Sequence, residues 1–364
     1  MRNTLIYWGL IALSAALTRS NLYLMFPVYV CLFATIDYLY SFVGIPIWDQ
    51  TEITSNCYDW FQHYLKQNYD SDGKIDLTES LFLGKYDTPP EEATQNKFKH
   101  VFEALGLKEG MTILDCGCGT GTWLEYCKKR GVEGVGLTLS QEQVEVLKKK
   151  GLTAYEHDYR VHKEDFVDKF DAITLLGSAE HISSGHGFYT AEGRAFNTYL
   201  SVFKTMKGYL KENAKMLMTV LTLNKFESTP YNLVQGYLMH RHYGGYYAST
   251  ATVENAVKIA GLKLLSTEDH TKDYHWISVV EPTHFGHWTI DLAENTGDKA
   301  MYFVRGLLTD PFVLHHWAYN FMDTWMWQLG EYQTTPLTDE QVANAPANLK
   351  YFTIEKSKGS ETLS

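Results

Sequence analysis

The sequence predicts an α/β protein built on an open, mostly parallel sheet with helices on both faces, preceded by an N-terminal pair of hydrophobic helices. Two observations carry that prediction. Beyond residue 105, short apolar runs that fit buried strands alternate with segments of helical spacing, the signature of strand–helix–strand units. Before residue 49, the only charged side chains are Arg2, Arg19 and Asp37. With 364 residues and a 45% hydrophobic share, the chain can bury a sizeable core.

The first segment, residues 1–48, reads as a membrane anchor. Residues 5–17 form an apolar run shorter than the roughly 20 residues a spanning helix needs, whereas residues 22–43 are long enough. Arg19, Ser20 and Asn21 break the two runs, which suggests a helical hairpin and an integral membrane location. Asp37 in the second run would cost about 2.5–3.5 kcal/mol against lipid, so it is expected to face protein or the interface. Two other readings stay open: a cleaved signal peptide over residues 5–17, and a buried or interfacial helix pair. Arg2 and Arg19 would lie on opposite sides, so the charges do not set an orientation.

Residues 49–105 read as a helical lead-in or cap. Pro89 and Pro90 punctuate the chain before a helix over residues 91–105, in which Phe98, Val101, Phe102 and Leu105 recur at helical spacing and Gly106 stands at the C-terminal cap. A catalytic-size domain then occupies residues 106–335. Strands are expected at 111–114, 132–139, 172–176 and 216–223, with helices at 123–129, 141–150 and 198–210 between them. Residues 312–327, carrying Trp317, Trp325 and Trp327, suggest an amphipathic helix over a pocket or on a membrane surface. Residues 336–364 are polar and are expected to form a flexible tail.

Composition narrows the function. The 32 Lys and Arg against 43 Asp and Glu give a net charge of -11, too acidic for a chain that grips phosphate backbones, so nucleic acid is not an expected partner. Five cysteines, with Cys116 and Cys118 one residue apart, imply no disulfide framework. His270, His275, His284, His287, His315 and His316 invite a metal reading, but no pair has the spacing and carboxylate context of a zinc site, and no metal is expected. The 25 Tyr and 9 Trp suit an apolar pocket, a membrane interface, or both.

The densest signal is Leu114-Asp115-Cys116-Gly117-Cys118-Gly119-Thr120-Gly121, with three glycines at alternate positions between an expected strand and an expected helix. Glycine lets the backbone turn tightly and approach a ligand closely. A purely structural strand-to-helix turn would use the same residues. Asp115, just before the turn, offers a carboxylate to the turn's own N–H groups or to a ligand's ammonium group.

This run resembles the first motif of class I S-adenosylmethionine-dependent methyltransferases. The stretch Gly134-Val135-Gly136-Leu137-Thr138-Leu139-Ser140-Gln141-Glu142-Gln143 is similar to one branch of them, the cyclopropane fatty acid synthase family. His157-Asp158-Tyr159-Arg160, Phe170-Asp171 through Glu180-His181-Ile182, Gly244 to Ser249 and Asp273-Tyr274 resemble that family in the same order, over about residues 58–290. The resemblance implies a Rossmann-like class I methyltransferase sheet and S-adenosyl-L-methionine as cofactor. It implies that Asp115, Gly117, Gly119, Thr138, Leu139, Gln143 and Asp158 hold the cofactor, and that Glu180 and Tyr274 face the reacting centre. For His181 a structural role is favoured. Tyr246, Tyr247, Tyr274 and Trp276 are candidates to stabilise spread positive charge, though for any one of them a core aromatic is the favoured reading.

The chain also departs from the family. Where the family carries a Tyr-Ser-Cys-x-Tyr segment, this chain has Leu81-Phe82-Leu83-Gly84-Lys85-Tyr86, and where it carries a strand histidine there is Met216-Leu217-Met218-Thr219. The resemblance implies that the Cys and His, with a Glu and a Tyr, surround a bicarbonate base, so only the Glu and Tyr candidates remain. Ring closure after methylation of an olefin needs loss of a proton, whereas methyl transfer chiefly needs positioning. The expectation is therefore a membrane-anchored methyltransferase acting on a lipid acyl chain or another apolar substrate. An amine N-methyltransferase of the same branch, or a non-catalytic subunit of a membrane complex, are the alternatives.

Overall fold

The computed structural model describes residues 2–21, 23–25, 28–29, 31–32, 35–36, 50–55, 57–58, 78–184, 191–224, 244–276 and 336–357. The sheet has seven strands: β1 (Thr112–Cys116), β2 (Glu133–Thr138), β3 (Thr153–Glu156), β4 (Phe170–Leu176), β5 (Leu210–Leu223), β6 (Lys263–Asp269) and β7 (Ala347–Glu355). Their order is β3-β2-β1-β4-β5-β7-β6. The first five are parallel to one another, and β7 runs antiparallel to both β5 and β6. The helices are α1 (Arg2–Leu17), α2 (Pro90–Leu105), α3 (Thr122–Lys128), α4 (Gln141–Lys149), α5 (Ala191–Tyr209), α6 (Thr250–Ile259), α7 (Thr271–His275) and α8 (Asp339–Asn344).

Alternation along the strands builds a core on each face. Ile113, Ala172, Leu217 and Tyr351 point to one side, where they pack with Phe98 and Val101 of α2, Trp123 and Leu124 of α3, and Leu147 of α4. Their neighbours Leu114, Ile173, Met216 and Phe352 point to the other, against Tyr199, Val202 and Phe203 of α5 and Val253 and Val257 of α6. A sheet covered on both faces explains why its strands read as short continuous apolar runs. α2 opens on Pro90 and ends at Gly106, whose left-handed backbone (φ 68°) lets its N–H close the last turn onto Glu103 and Phe102. The side chain of Ser140 caps α4 by accepting from the amide of Gln143.

One expectation needs correction and another lacks support. Within the expected tail, Ala347–Glu355 is a strand inserted between β5 and β6, with Tyr351, Phe352 and Ile354 fully buried. The polar surroundings hid a window, Leu349 to Ile354, whose aromatic and β-branched residues suit a covered strand. The membrane hairpin is the expectation without support. α1 has 16 residues, about 24 Å at 1.5 Å per residue, short of the ~30 Å hydrocarbon core. Among the described residues no helix is long and apolar enough to cross a membrane. Most of residues 22–43, and all of residues 312–327, lie outside the described residues.

Candidate functional site

The strand order reverses direction at β1 and β4, and the crevice beyond their carboxyl ends is where open α/β sheets bind ligands. The chain builds a cleft there, whose empty space together with the solvent at its open mouth is about 970 Å³. Asp115, Gly117 and Gly119 line it from the β1–α3 turn, Thr138, Leu139 and Gln143 from the β2–α4 turn, and Asp158 from the turn after β3. The seven residues that the sequence singled out for a cofactor are thus brought together from three separate turns.

The glycine turn is held over the end of β2, because the amides of Gly117 and Cys118 both donate to the carbonyl of Leu137 at 2.8 and 2.9 Å. Its glycines differ in purpose. At Gly117 (φ 81°) a Cβ would lie 2.3 Å from Cβ of Ser178, so glycine is needed there for close packing of β1 on the loop after β4. At Gly119 (φ 52°) a Cβ would meet nothing within 4 Å, so this position faces open cleft. Cys116 and Cys118 are unpaired, and burial pushes both thiols well above their ordinary range, which leaves them packing groups and not nucleophiles.

The polar walls are pre-set. Trp123 Nε1 donates to Thr174 Oγ1 at 3.2 Å, and that hydroxyl donates to Oδ1 of the buried Asp115 at 2.8 Å. Thr138 donates to Gln143 Oε1 at 2.6 Å, which occupies the amide oxygen and leaves Nε2 as a buried donor with no partner among the described residues. A buried donor costs free energy until something accepts from it, so this cleft is prepared for a polar ligand. Asp158 is largely committed within the chain, since both its oxygens accept from Arg160, at 2.7–3.1 Å. Burial raises the Asp158 carboxyl, but the Arg160 hydrogen bonds and charge outweigh it and hold it below the ordinary value.

Residues 50–55 and 57–58 border this cleft, Thr54 and Tyr58 lining it, and sequence reasoning gave them no individual role. Ser55 donates to the carbonyl of Leu139 at 2.9 Å, and Arg160 donates to Thr51 at 2.8 Å. Tyr58 lines the cleft with its hydroxyl 2.7 Å from His181 Nε2, and His181 lines it too, its carbonyl accepting from Gln50 at 2.9 Å. The favoured structural role for His181 thus meets a residue at the cleft wall.

Glu180 and Tyr274 are not among the residues lining the cleft. Glu180 sits in the short 3-10 turn Ala179–His181 beyond β4, where Oε1 accepts from the amide of Leu221 at 2.8 Å. Its Oε2 is buried and makes no hydrogen bond among the described residues. Burial pushes its carboxyl up to about 7 against the pull of the Leu221 amide, and the neighbouring Glu79 adds to the rise. Tyr274 lies on α7 and packs on the α2–α3 side of the sheet with Tyr247. Beside it, Asp273 Oδ1 accepts from the amide of Phe82 at 2.9 Å, joining α7 to the segment that stands in place of the family's cysteine. In β5, Thr219 accepts from the amide of Gly177 at 2.8 Å where an imidazole was sought. Tyr246 donates its hydroxyl to Glu192 at 2.8 Å and is committed to that contact.

A seven-stranded sheet in this order, with an antiparallel seventh strand and a glycine-turn cleft at its carboxyl edge, defines the α/β fold of class I methyltransferases. Known proteins place it more narrowly. A model of the mycolic acid cyclopropane synthetase family matches residues 55–301, and the chain belongs to that family, whose members are S-adenosylmethionine-dependent methyltransferases. The chain is 29% identical over 196 residues to a probable fatty acid methyltransferase of Mycobacterium tuberculosis, covering 50% of this chain and 41% of that one. It is 34% identical over 157 residues to cyclopropane mycolic acid synthase 2 of Mycobacterium leprae, covering 41% and 49% respectively. The chain therefore spans about half the length, or less, of these curated relatives. The crystal structure of mycolic acid cyclopropane synthase CmaA1 complexed with SAH and CTAB shares the fold. Its TM-score is 0.62 at 18% identity, covering 84% of this chain and 98% of that one.

Proposed function

We propose that this protein methylates a lipid acyl chain or another apolar substrate with S-adenosylmethionine. The observation that carries the reading is the convergence of Asp115, Gly117, Gly119, Thr138, Leu139, Gln143 and Asp158 on one cleft, with Gly119 open and Gln143 Nε2 unsatisfied. S-Adenosylmethionine supplies an electrophilic methyl group on a sulfonium. Asp115, oriented by Thr174, would accept from the ligand's ammonium, and Nε2 of Gln143, without a partner among the described residues, would donate a hydrogen bond to a ligand oxygen. Tyr58 and His181 would exclude water from the same space.

Beside the cleft-lining His181 but outside the lining itself, Glu180 combines an oxygen that is buried without a partner among the described residues with a carboxyl pushed up to about 7, so near neutral pH it would take a proton as readily as release one. That is the property needed beside a carbocation formed by methylating an olefin. With no cysteine at residues 81–86 and no histidine at 216–219, the base constellation is reduced to Glu180 and Tyr274, and the proposed product is a methyl or methylene branch instead of a cyclopropane.

The lipid substrate rests on the relatives, one a probable fatty acid methyltransferase and another a cyclopropane mycolic acid synthase, and on a fold neighbour crystallised with a long-chain detergent. Membrane contact through residues 1–48 belongs to the same proposal. Its support is the scarcity of charge there and the exposed Leu13 and Leu17 on α1. Incubating the full-length protein with methyl-labelled S-adenosylmethionine and either lipid extract or an amine pool tests the reading. Label in lipid is expected. Label in the amine pool alone would move the substrate class, and failure to bind S-adenosylmethionine would overturn the proposal.

A further inference from the structure

Away from the cleft, on the outer part of the α2–α3 face, three ligating side chains meet from distant parts of the chain. His100 comes from α2, Glu268 from β6, and His270 from the residue between β6 and α7. One donor atom from each lies within 4.8 Å of both others. Glu268 Oε2 is 3.1 Å from His100 Nε2 and 3.5 Å from His270 Nε2. Around a tetrahedral ion with ligand bonds of about 2.0–2.2 Å, neighbouring ligand atoms stand roughly 3.4 Å apart. The carboxylate oxygen already has that spacing from both rings.

Glu268 is within ion-pair distance of both rings, but the geometry is not that of a well-aligned hydrogen bond to either. Both Nε2 atoms are buried and make no aligned hydrogen bond among the described residues, although a carboxylate oxygen is close to each. On His270 the other nitrogen, Nδ1, faces Asp273 Oδ2 at 3.4 Å. A carboxylate at Nδ1 favours the tautomer that leaves a lone pair on Nε2, the outer support found behind metal-bound histidines. Asp273 is itself fixed by the Phe82 amide. The Tyr351 ring backs the group, 4.4 Å from the His270 ring and 6.0 Å from that of His100, and dries one side of it. The His100 and Glu268 side chains remain 31% and 35% exposed, which leaves an ion a path in and room for a water ligand.

We propose that His100, Glu268 and His270 form a divalent-metal site that takes a borderline transition ion, zinc first, and clasps α2 to the β6–α7 edge of the sheet. Two imidazoles and one carboxylate suit zinc and its neighbours, whereas magnesium and calcium favour all-oxygen sets. The site is independent of the methyltransferase reading. Its role is structural: the ion would tie α2 to the strand end that leads into α7, the helix carrying Tyr274. Spacing along the sequence could not reveal it, because His100 is remote from its partners and only Glu268 and His270 are close together.

The test uses the full-length protein, stripped with a chelator and titrated with zinc chloride by calorimetry and with cobalt chloride by visible absorption. One ion per chain, a tetrahedral cobalt spectrum and a higher Tm with zinc are expected. Glu268→Gln and His100→Gln should each weaken zinc binding by 100-fold or more, and Asp273→Asn, which keeps the acceptor for Phe82, by about 10–100-fold. Retention of the native circular dichroism spectrum shows that a variant is folded. For a variant that is not, the wild-type cobalt spectrum decides. Absence of a tetrahedral spectrum, or binding unchanged in folded Glu268→Gln, would overturn the proposal and make the cluster a proton-bridged ion-pair network.

Discussion

Replacing Glu180 by glutamine tests the electrostatics of the region beyond β4 without touching its packing. The amide keeps an oxygen for the Leu221 N–H and removes the ionisable group whose second oxygen is buried without a partner. In the folded chain, burial holds the Glu180 carboxyl up at about 7, against 4.5 for an ordinary glutamate. Between those two pH values the folded state holds a proton that the unfolded chain has released. The native state is therefore favoured below about pH 4.5, loses that advantage as pH rises to 7, and levels off above it. At roughly 1.4 kcal/mol per tenfold change, the loss amounts to about 3 kcal/mol. Urea unfolding of wild type and Glu180→Gln at pH 5 and pH 8 measures it, with every other titrating group common to both proteins. Wild type should lose most of that, roughly 2–3 kcal/mol, more than the variant between the two conditions, because pH 5 already lies above the unfolded value. Equal losses would mean that Glu180 ionises as a solvated carboxyl, and the general-base assignment would go with it.

The other expectations concern the cleft, the turn, the last strand and the chemistry. Gly119→Val should abolish S-adenosylmethionine binding in calorimetry while leaving the fold, because the new side chain enters open cleft and the left-handed backbone costs only about 1–2 kcal/mol. Gly117→Ala should instead lower stability, by roughly 1–3 kcal/mol of overpacking against Ser178 plus a similar backbone cost, read as a lower urea midpoint. A chain ending at residue 345 should be insoluble or lack native circular dichroism, since it loses the strand that pairs with both β5 and β6. Glu180→Gln and Tyr274→Phe should each lower methyl transfer by about 10² or more with little change in cofactor affinity. Full activity in either variant would remove that residue from the reacting centre.

The parallel half of the sheet was legible because its signals are local. β1, β2, β4 and β5 each present a short apolar run, and the turns between them carry glycines or a capping serine whose backbone needs follow from residue type. The cleft followed from the turns after β1 and β2 and from the family resemblance, whereas β3, four residues long with only Ala154 buried, carries no apolar run and was not anticipated. β6 and β7 were harder. β6 alternates between exposed and half-buried residues and has no continuous run, and β7 draws its burial from neighbours more than a hundred residues away in β5 and about eighty away in β6. Composition averaged over the last segment reports its polar flanks and misses a strand that becomes central only when the sheet closes around it.

Individual side-chain roles show the same division between local and long-range information. Gly117 and Gly119 look alike in sequence, yet one is glycine because Ser178 presses on it and the other because the cleft must stay open. No local pattern separates them, because Ser178 arrives from beyond β4. Tyr58 and His181 meet across the cleft through a contact between the lead-in segment and the end of β4, and the His100, Glu268 and His270 cluster joins a helix on the sheet face to the far edge strand. In each case the chemistry lies in the juxtaposition. The sequence motif supplies a binding turn of known shape, while the folded chain decides which carboxylates are buried, which donors go unsatisfied and therefore where a ligand or an ion lowers the free energy. Glu180 is the sharpest instance. Its position after β4 was readable from motif order, but its acidity depends on burial and on Glu79 nearby, and these arise only when Glu180 meets Leu221 of β5 and Glu79, from the segment before α2, meets Tyr351 of β7.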